Sequence, residues 1–204
     1  MQRWDALLFD FDGVLADTEP IHFDCWSQIL EPFGITLGWD YYQAQCIGVS
    51  DRLMIERLAA ARVPPIPFDD IWRRYDRKKE LFRQIHEQQS PFSDETLRLI
   101  EEVAGTYKLA VVSSSGRTEV EPPIERAGIR SHFQALVCGR EAQELKPHPA
   151  PYLRAAALLG AERPLAIEDS DAGVESARAA GFEVLRVSNA STMPSELLAH
   201  LKGS

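Results

Sequence analysis

The sequence predicts an α/β fold, with a doubly wound parallel sheet core that carries an inserted helical domain. Two observations predict it. Five short, continuous apolar runs recur along the chain, and apolar runs without alternation are typical of strands covered on both faces. The interval from Phe9 to Leu109, between the first two runs, is far longer than the dozen or so residues that a crossover connection needs.

The order of strands and helices follows from the apolar pattern. The predicted strands are Ala6–Phe9, Leu109–Val112, Ala135–Cys138, Leu165–Ile167 and Val184–Val187. The helical patterns between the later strands are Thr118–Ala127, Pro151–Leu159 and Ala172–Ala180, each followed by a glycine where a helix C-cap is expected. Because Pro122 and Pro123 interrupt the first helical pattern, we expect that helix to begin late, near Pro122. This alternation predicts a Rossmann-like sheet.

The long interval between the first two strands has the pattern of several helices. Thr18 can cap a helix with Pro20 in its first turn, and apolar residues then recur three and four positions apart. Residues 52–62 and 68–88 continue with helical spacing on either side of a proline-rich connection. Ser93 or Asp94 then caps the true crossover helix. We therefore predict a core domain of residues 1–16 and 91–204 and a helical domain of residues 17–90.

Composition limits the partners and the compartment. The formal net charge is −9 and 45% of the residues are apolar, which indicates a globular protein without the basic surface that nucleic acid requires. Three cysteines without metal-ligand spacing indicate reduced, buried thiols. The N-terminal apolar run is too short for a secretory signal, and no window resembles a membrane span. We expect a cytoplasmic monomer or weak homodimer that binds neither nucleic acid nor membranes.

Acidic residues follow two of the predicted strands. Asp10 and Asp12 come directly after the first strand, and Gly13 allows the chain to turn. Glu168 and Asp169 follow the fourth strand. Ligands of open α/β sheets bind beyond the carboxyl ends of the strands, so these carboxylates should meet at one edge. An all-oxygen cluster suits a hard divalent cation, ordinarily Mg²⁺, although either acidic pair alone is equally typical of a solvated turn or a helix cap.

The loops after the second and third strands offer groups for an anion. Ser113, Ser114 and Ser115 precede a helix, where hydroxyls and free amides suit anionic oxygens but more often only cap the helix. Lys146 lies between prolines in "KPHP", and a lone lysine is usually a solvated surface charge. Together with the acidic strand ends, these residues predict a site for a cation and an anion at the same edge of the sheet.

Four stretches in this order, "DFDGVLADTEP", "VVSSS", "KPHP" and "EDSDAG", resemble the haloacid dehalogenase-like superfamily. The chain is most similar to the branch of β-phosphoglucomutases, phosphoglycolate phosphatases and small sugar-phosphate phosphatases, in which a helical cap domain is inserted after the first strand. The resemblance covers essentially the whole chain. It implies a Rossmann-like core, a cap formed by the insertion, and Mg²⁺-dependent hydrolysis of a small phosphorylated metabolite such as a sugar or polyol phosphate.

The resemblance also implies catalytic and metal-binding roles. Asp10 would be the nucleophile that forms an aspartyl-phosphate. Asp12 would protonate the leaving alcohol and then activate water. The metal ligands would be Asp10, the backbone carbonyl of Asp12, and Asp169, with Glu168 supporting the metal shell. The transferring phosphoryl group would be held by Ser113 and Lys146, with added contacts from the neighbouring serines such as Ser114.

One departure from the family pattern bears on the reaction. Asp51, in "GVSDR", stands where phosphoglucomutases tend to have an arginine that binds the second phosphate of the substrate, and Arg52 follows one position later. A shift of one residue on a helix turns a side chain by about 100°. This favours a phosphatase over the alternative, a β-phosphoglucomutase-like sugar-phosphate mutase.

Three further alternatives remain open at this point. Asp12 argues against carbon–halogen hydrolysis, which has no leaving alcohol to protonate. Phosphonate cleavage would need a cap lysine for a Schiff base, and Lys78 and Lys79 lie on a charge-rich pattern most simply interpreted as solvated. A non-enzymatic regulator modified at Asp10 would need a long-lived acyl phosphate.

Substrate identity is expected to lie in the cap. The residues expected to reach the substrate are His22, Gly48, Ser50 and Arg52. Trp26 is more simply a core residue of the cap, Lys79 a surface residue, and a structural role for His22 is equally compatible with the sequence.

Overall fold

The computed structural model describes residues 3–47, 49–88 and 90–203, and of residues 86 and 87 only the backbone. The chain divides into two compact units, Met1–Asp17 with Ser90–Ser204, and Thr18–Gln89. The first unit contains a parallel sheet flanked by helices, and the second is helical. The predicted fold class is therefore confirmed.

One parallel sheet forms the centre of the first unit. Among the described residues its strands are β1 (Ala6–Phe9), β2 (Lys108–Ser113), β3 (Phe133–Cys138), β4 (Pro164–Glu168) and β5 (Glu183–Arg186). The strand order is β3-β2-β1-β4-β5. β1 lies at the centre, where Leu7 is in register with Leu109 of β2 and Leu165 of β4. The residues that follow β1, β2 and β4 therefore emerge side by side.

The two faces of the sheet carry different side chains. One face presents large residues such as Leu7, Phe9 and Leu109 to a buried cluster, whereas the other presents mainly small ones such as Ala6 and Ala110. The small residues let the helix that contains Tyr152 pack closely against the sheet. Burial on both faces explains why the strands are continuous apolar runs in the sequence.

The helices of this unit cover the two faces. They are α6 (Asp94–Ala104), α7 (Arg117–Arg126), α8 (Ala150–Leu159), α9 (Asp171–Ala179) and α10 (Met193–Lys202). Ser93 caps α6 by accepting a hydrogen bond from the Thr96 amide at 3.1 Å, as the sequence predicts. The C-terminal helix α10 was not predicted, although its N-cap Thr192 and Pro194 in its first turn are typical signals of a helix start.

The prediction that α7 begins near Pro122 is wrong. The helix begins at Arg117, with Gly116 as its N-cap, and both prolines lie inside it. The Gly116 carbonyl accepts hydrogen bonds from Glu119 and Val120, which complete the first turn before the prolines. Val120 and Ile124 are buried against the sheet, and this burial offsets the hydrogen bonds that proline cannot donate.

The second unit is built from helices around its own apolar cluster. Its helices are α1 (Glu19–Leu30), α2 (Trp39–Gln45), α3 (Asp51–Ala60), α4 (Phe68–Trp72) and α5 (Tyr75–Gln88). Trp26 is fully buried in this cluster, as its helical spacing predicts. Helix α2 was not expected from the sequence, since its seven residues span only about two turns.

The single helix predicted over residues 68–88 is interrupted at Arg73 and Arg74. The Arg74 amide bonds to the Ile71 carbonyl three residues back, so the turn is tighter than in an α-helix. The Trp72 ring stacks on that of Tyr75 with centroids 4.5 Å apart, and Ile71 is buried. The ring stacking and the burial of Ile71 stabilise the chain where the helix is interrupted.

Cys25, Cys46 and Cys138 are all free and buried, as expected. Within residues 3–47, 49–88 and 90–203, no helix has both the length and the apolar character needed to cross a membrane.

Candidate active site

Asp10 follows β1 directly and is buried. Its backbone amide donates to the Ile167 carbonyl at 3.0 Å, and 7% of the residue is exposed. The chain then turns at Gly13, which has a φ of 78°, a conformation that other residues rarely adopt. A Cβ atom at Gly13 would overlap the Asp169 carboxylate. The glycine thus brings the turn after β1 against the end of β4.

Lys146 lies at the centre of the site. Its Nζ donates to Asp10 Oδ1 at 2.6 Å, to Glu168 Oε1 at 2.5 Å and to the Val112 carbonyl at 2.8 Å. Burial lowers the pKa of this lysine, but the Asp10 and Glu168 carboxylates outweigh burial and raise the pKa. Lys146 therefore stays a cation that joins groups from β1, β2 and β4.

Asp10, Glu168 and Asp169 form an acidic group, with one carboxylate oxygen from each lying within 4.8 Å of the others. Burial, partly offset by Lys146, raises the pKa of Asp10 well above its ordinary value, and Glu168 raises it further. Burial and then Glu168 raise the pKa of Asp169 to about 6. Three carboxylates around one lysine leave a local excess of negative charge, and this all-oxygen donor set fits a hard divalent cation.

Glu168 is fully buried and held by more donors than the sequence indicates. The Tyr152 hydroxyl donates to its Oε1 at 2.6 Å, and the Ser170 hydroxyl donates to its Oε2 at 3.2 Å. Tyr152 was not predicted as a site residue, because at its position in α8 the apolar pattern favours a core side chain. The sequence signal that could have identified Tyr152 as a site residue is its position six residues after Lys146, on a helix that packs against the sheet.

Gly173 in α9 is a second residue that the sequence did not single out. A Cβ atom there would overlap the Glu168 carboxylate on backbone that is fixed by the helix. We expect Gly173→Ala to cost about 3 kcal/mol or more of unfolding free energy, because the overlap must displace a buried, hydrogen-bonded carboxylate. Urea unfolding measures this cost. Gly105→Ala is the control, since its nearest contact would be an ordinary 3.8 Å, and an equal loss in both variants would contradict the prediction.

The serine residues at the end of β2 and directly after it meet the turn after β1. Ser113 is buried, and its Oγ accepts from the Ser115 amide at 3.0 Å. The Ser115 hydroxyl donates to Asp12 Oδ2 at 2.7 Å, which fixes the orientation of that carboxylate. Ser114 lies between the other two serines and is exposed. The structure thus brings the predicted residues of the core unit to one sheet edge.

Lys78, which the sequence analysis interprets as solvated, is buried, and that interpretation is wrong. Its Nζ lies 2.8 Å from His22 Nδ1 and 3.3 Å from Asp51 Oδ2. Asp51 also accepts a hydrogen bond from Trp26 Nε1 at 2.8 Å. The lysine is tolerated inside the helical unit because a carboxylate and aromatic faces surround the ammonium group.

The other predicted substrate residues of the helical unit have local contacts. Ser50 caps α3, with its Oγ accepting from the Leu53 amide at 3.3 Å. Arg52 pairs with Glu56 at 3.0 Å and lies over the Phe68 ring. Gly48 lies outside the described residues. A substrate role for these residues and for His22 stays a prediction.

The sheet is doubly wound and parallel, and its carboxyl edge carries carboxylates, a buried lysine and serines. This arrangement is typical of α/β enzymes that bind charged ligands. The sequence profile of the haloacid dehalogenase-like hydrolases matches residues 7–187. The chain belongs to this family, and the resemblance stated from its motifs is confirmed.

Similar proteins include named phosphatases. A phosphorylated carbohydrates phosphatase of Thermotoga maritima is 29% identical over 88% of this chain and 82% of its own length. The fructose-1-phosphate phosphatase YqaB of Escherichia coli is 29% identical over 91% of this chain and 97% of its own. A solved Thermotoga maritima structure, described as a candidate β-phosphoglucomutase, is 26% identical with a TM-score of 0.75, covering 98% of this chain and 99% of its own.

Proposed function

We propose that this protein is a Mg²⁺-dependent phosphatase that hydrolyses a small phosphorylated metabolite, a sugar or polyol phosphate, through an aspartyl-phosphate on Asp10. The broader assignment to the phosphoric monoester hydrolases follows from the family and from relatives named as phosphatases. One observation supports the finer proposal most strongly. Asp10, Lys146 and the Asp169 carboxylate, which are far apart in sequence, converge at one sheet edge.

The proposed reaction has two steps at phosphorus. Asp10 attacks the phosphoryl group, the bond from phosphorus to the ester oxygen breaks, and Asp12 gives its proton to the leaving alkoxide. Asp12, now a carboxylate, takes a proton from water, which attacks the phosphorus of the aspartyl-phosphate. Inorganic phosphate leaves and Asp10 is regenerated. The 2.7 Å hydrogen bond from Ser115 holds Asp12 in one orientation for both proton transfers.

Charge balance in the site supports this sequence of steps. Lys146 contacts Asp10 directly and can therefore also contact a phosphoryl oxygen placed beside that carboxylate. Ser113 is buried at the end of the neighbouring strand. The carboxylates of Asp10 and Asp169, with the Asp12 backbone carbonyl, would hold Mg²⁺, and Glu168 would support them. When bound, Mg²⁺ would neutralise charge on the phosphoryl oxygens and keep Asp10 ionised.

Metal binding should be visible without turnover. We expect Mg²⁺ to raise the melting temperature at pH 7.5, because a cation that binds only the folded state adds about 2.7 kcal/mol at a hundred times its Kd. Asp169→Asn should remove most of this shift. Asp171→Asn should retain it, since that side chain is 91% exposed and pairs with Arg186. Equal shifts in the two variants would contradict the assigned metal site.

Replacing Asp12 separates proton transfer from phosphoryl transfer. We expect Asp12→Asn to lower kcat on an alkyl phosphate by about 10²- to 10⁴-fold, the usual contribution of general acid–base catalysis. With p-nitrophenyl phosphate, whose leaving group needs no proton, the variant should release a burst of nitrophenol and then turn over slowly. Stopped-flow absorbance measures both phases. A uniform loss on both substrates without a burst would contradict the role of Asp12.

A substrate panel tests the proposed function itself. Purified protein is assayed for phosphate release from hexose, pentose and polyol monophosphates, with Mg²⁺ and with a chelator. We expect metal-dependent turnover of at least one of these esters. An absence of turnover across the panel, or turnover that persists in the chelator, would overturn the proposal.

The second candidate is a β-phosphoglucomutase-like mutase, favoured by the similarity to a candidate enzyme of that name. Within the helical unit, Asp51 accepts a hydrogen bond from Trp26 and pairs with Lys78. A carboxylate at this position neutralises a lysine instead of supplying a cation for a second phosphate. Conversion of a hexose 1-phosphate to its 6-phosphate without release of inorganic phosphate would favour the mutase.

A further inference from the structure

Two loops of the core unit carry the residues proposed to hold the phosphoryl group. The serine loop, residues 113–117, begins at the last residue of β2 and contains Ser113 and Ser115. The lysine loop, residues 139–146, follows β3 and ends at Lys146. β2 and β3 are neighbouring strands, so the two loops leave the sheet side by side.

An ion pair joins these two loops. Arg117 Nε donates to Glu141 Oε1 at 2.7 Å, and Arg117 Nη2 donates to Glu141 Oε2 at 2.9 Å. This two-bond geometry fixes orientation as well as distance. Arg117 Nη2 also donates to the Leu136 carbonyl of β3 at 2.9 Å. The hydrogen bond to Arg117 lowers the pKa of Glu141, so the pair is ionised at neutral pH.

The loop backbones also approach each other beside this pair. Gly139 has a φ of 51°, and a Cβ atom there would lie 3.6 Å from both Gly116 Cα and the Ser115 carbonyl oxygen. Glu141 Oε2 accepts from the Cys138 amide at 3.3 Å as well, which ties the carboxylate to the start of its own loop. The ion pair therefore adds to a contact between the backbones of the two loops.

We propose that Arg117 and Glu141 are positioning residues that lock the serine loop to the lysine loop. Arg117 lies two positions after Ser115, which orients Asp12, and Glu141 lies five positions before Lys146. Fixing one loop against the other fixes Ser113 and Lys146 relative to each other. This inference rests on the proposed function, because it assigns to the pair the alignment of groups around a phosphoryl group.

The Arg117–Glu141 pair is partly exposed, so its effect on the catalytic rate is expected to exceed its effect on the free energy of unfolding. Side-chain exposures of 40% and 31% limit the contribution of this pair to unfolding free energy, since exposed pairs contribute little. A displacement of about 1 Å in a catalytic group can cost about 10²-fold in rate. Loss of the pair should therefore affect catalysis more than folding.

The experiment compares Arg117→Ala, Glu141→Ala and the double variant. We expect each single variant to lower kcat by about 10- to 100-fold with little change in KM, and the double variant to be no worse than either, because both remove the same contact. Arg117→Lys, which keeps the charge and loses the two-bond geometry, should recover part of the activity. Binding of inorganic phosphate, measured by calorimetry, should change as little as KM, because the lost alignment acts in the transition state.

Arg130→Ala is the matched control. Arg130 has a similar side-chain exposure of 37% and pairs with Glu121 at 2.9 Å. Glu121 also accepts a hydrogen bond from Arg117 Nη1 at 3.2 Å, so this control separates the Glu121 branch of the network from the Arg117–Glu141 pair that joins the two loops. We expect its kcat to match the unaltered protein. Equal kcat losses in Arg130→Ala and Arg117→Ala, additive losses in the double variant, or full activity in Arg117→Ala would each overturn the inference.

Hydrogen exchange distinguishes failure of this inference from failure of the proposed function. Arg117→Ala should increase amide exchange in peptides from the lysine loop, and Glu141→Ala should do so in the serine loop, whether or not a substrate is known. Unaltered exchange in the opposite loop would overturn the positioning role while leaving the phosphatase assignment standing. An inactive unaltered protein would overturn the phosphatase assignment instead.

Discussion

Asp10→Asn is expected to lower kcat by at least about 10⁴-fold, because the carboxylate that attacks phosphorus is replaced by an amide that is not a nucleophile. The fold should persist. Glu168 remains within 2.5 Å of Lys146 as its counter-charge, and the asparagine occupies the same volume. Circular dichroism and a discontinuous phosphate assay measure the two properties on the same sample.

Asp5→Asn is the matched control at the opposite end of β1. Asp5 accepts hydrogen bonds from the Glu162 and Arg163 amides at 2.8 and 3.0 Å, so its replacement should cost about 1 kcal/mol of stability. Its kcat should be unchanged. Residual activity in Asp10→Asn above about one part in 10² would contradict the nucleophile assignment.

Lys146→Met is expected to impair both folding and catalysis. Removing the ammonium leaves Asp10 and Glu168 buried without their shared partner, which should cost about 3 to 5 kcal/mol of unfolding free energy. It also removes a cation proposed to hold the phosphoryl oxygens, for which a loss of about 10²- to 10³-fold in kcat is expected. Lys108→Met is the control, because its Nζ donates only to the Leu159 and Gly160 carbonyls among the contacts described for it.

The stability loss of Lys146→Met should depend on pH in a defined direction. Burial raises the pKa of Asp10 in the folded state, and Lys146 is the neighbour that opposes this rise. Without the lysine the folded pKa rises further above the unfolded value of about 3.9. Between these two pKa values the folded state binds more protons than the unfolded state, so stability falls as pH rises. The deficit should shrink as pH is lowered towards 4, measured by urea unfolding in a chelator.

An equal deficit at pH 5 and pH 8 would contradict this account. Such a result would mean that the loss comes from packing around the lysine stem, which is not sensitive to pH. A deficit that grows on acidification would mean that Lys146 does not oppose the charge of these carboxylates.

The sheet and most of the residues at its edge could be predicted from the sequence for one physical reason. Parallel strands end at a common edge, so residues that follow Phe9, Ser113 and Glu168 must emerge close together. The continuous apolar runs identified the strands, and the polar residues after them identified the edge. Asp10 and Glu168 lie close together because of that topology, whereas Lys146 reaches both from the loop after β3, which is two strands away from β1.

The parts that could not be predicted depend on contacts that local patterns do not encode. Tyr152 has the spacing of a core residue, and its hydroxyl reaches Glu168 only because α8 packs closely on the small side chains of the sheet. Lys78 lies in a charge-rich stretch, and its burial depends on Asp51, which is 27 positions earlier. Pro122 lies inside α7, although proline is normally unfavourable in a helix interior, because the burial of neighbouring side chains outweighs this cost.

Trapping of the covalent intermediate tests the central claim most directly. The protein is quenched during turnover of its best substrate and treated with borohydride, which reduces an aspartyl-phosphate to homoserine, and the peptides are sequenced by mass spectrometry. The account predicts homoserine at position 10. With p-nitrophenyl phosphate, whose leaving group needs no proton, the amount should increase in Asp12→Asn, because only the second step is then slowed. Homoserine at another aspartate, or at none while phosphate is being released, would contradict it.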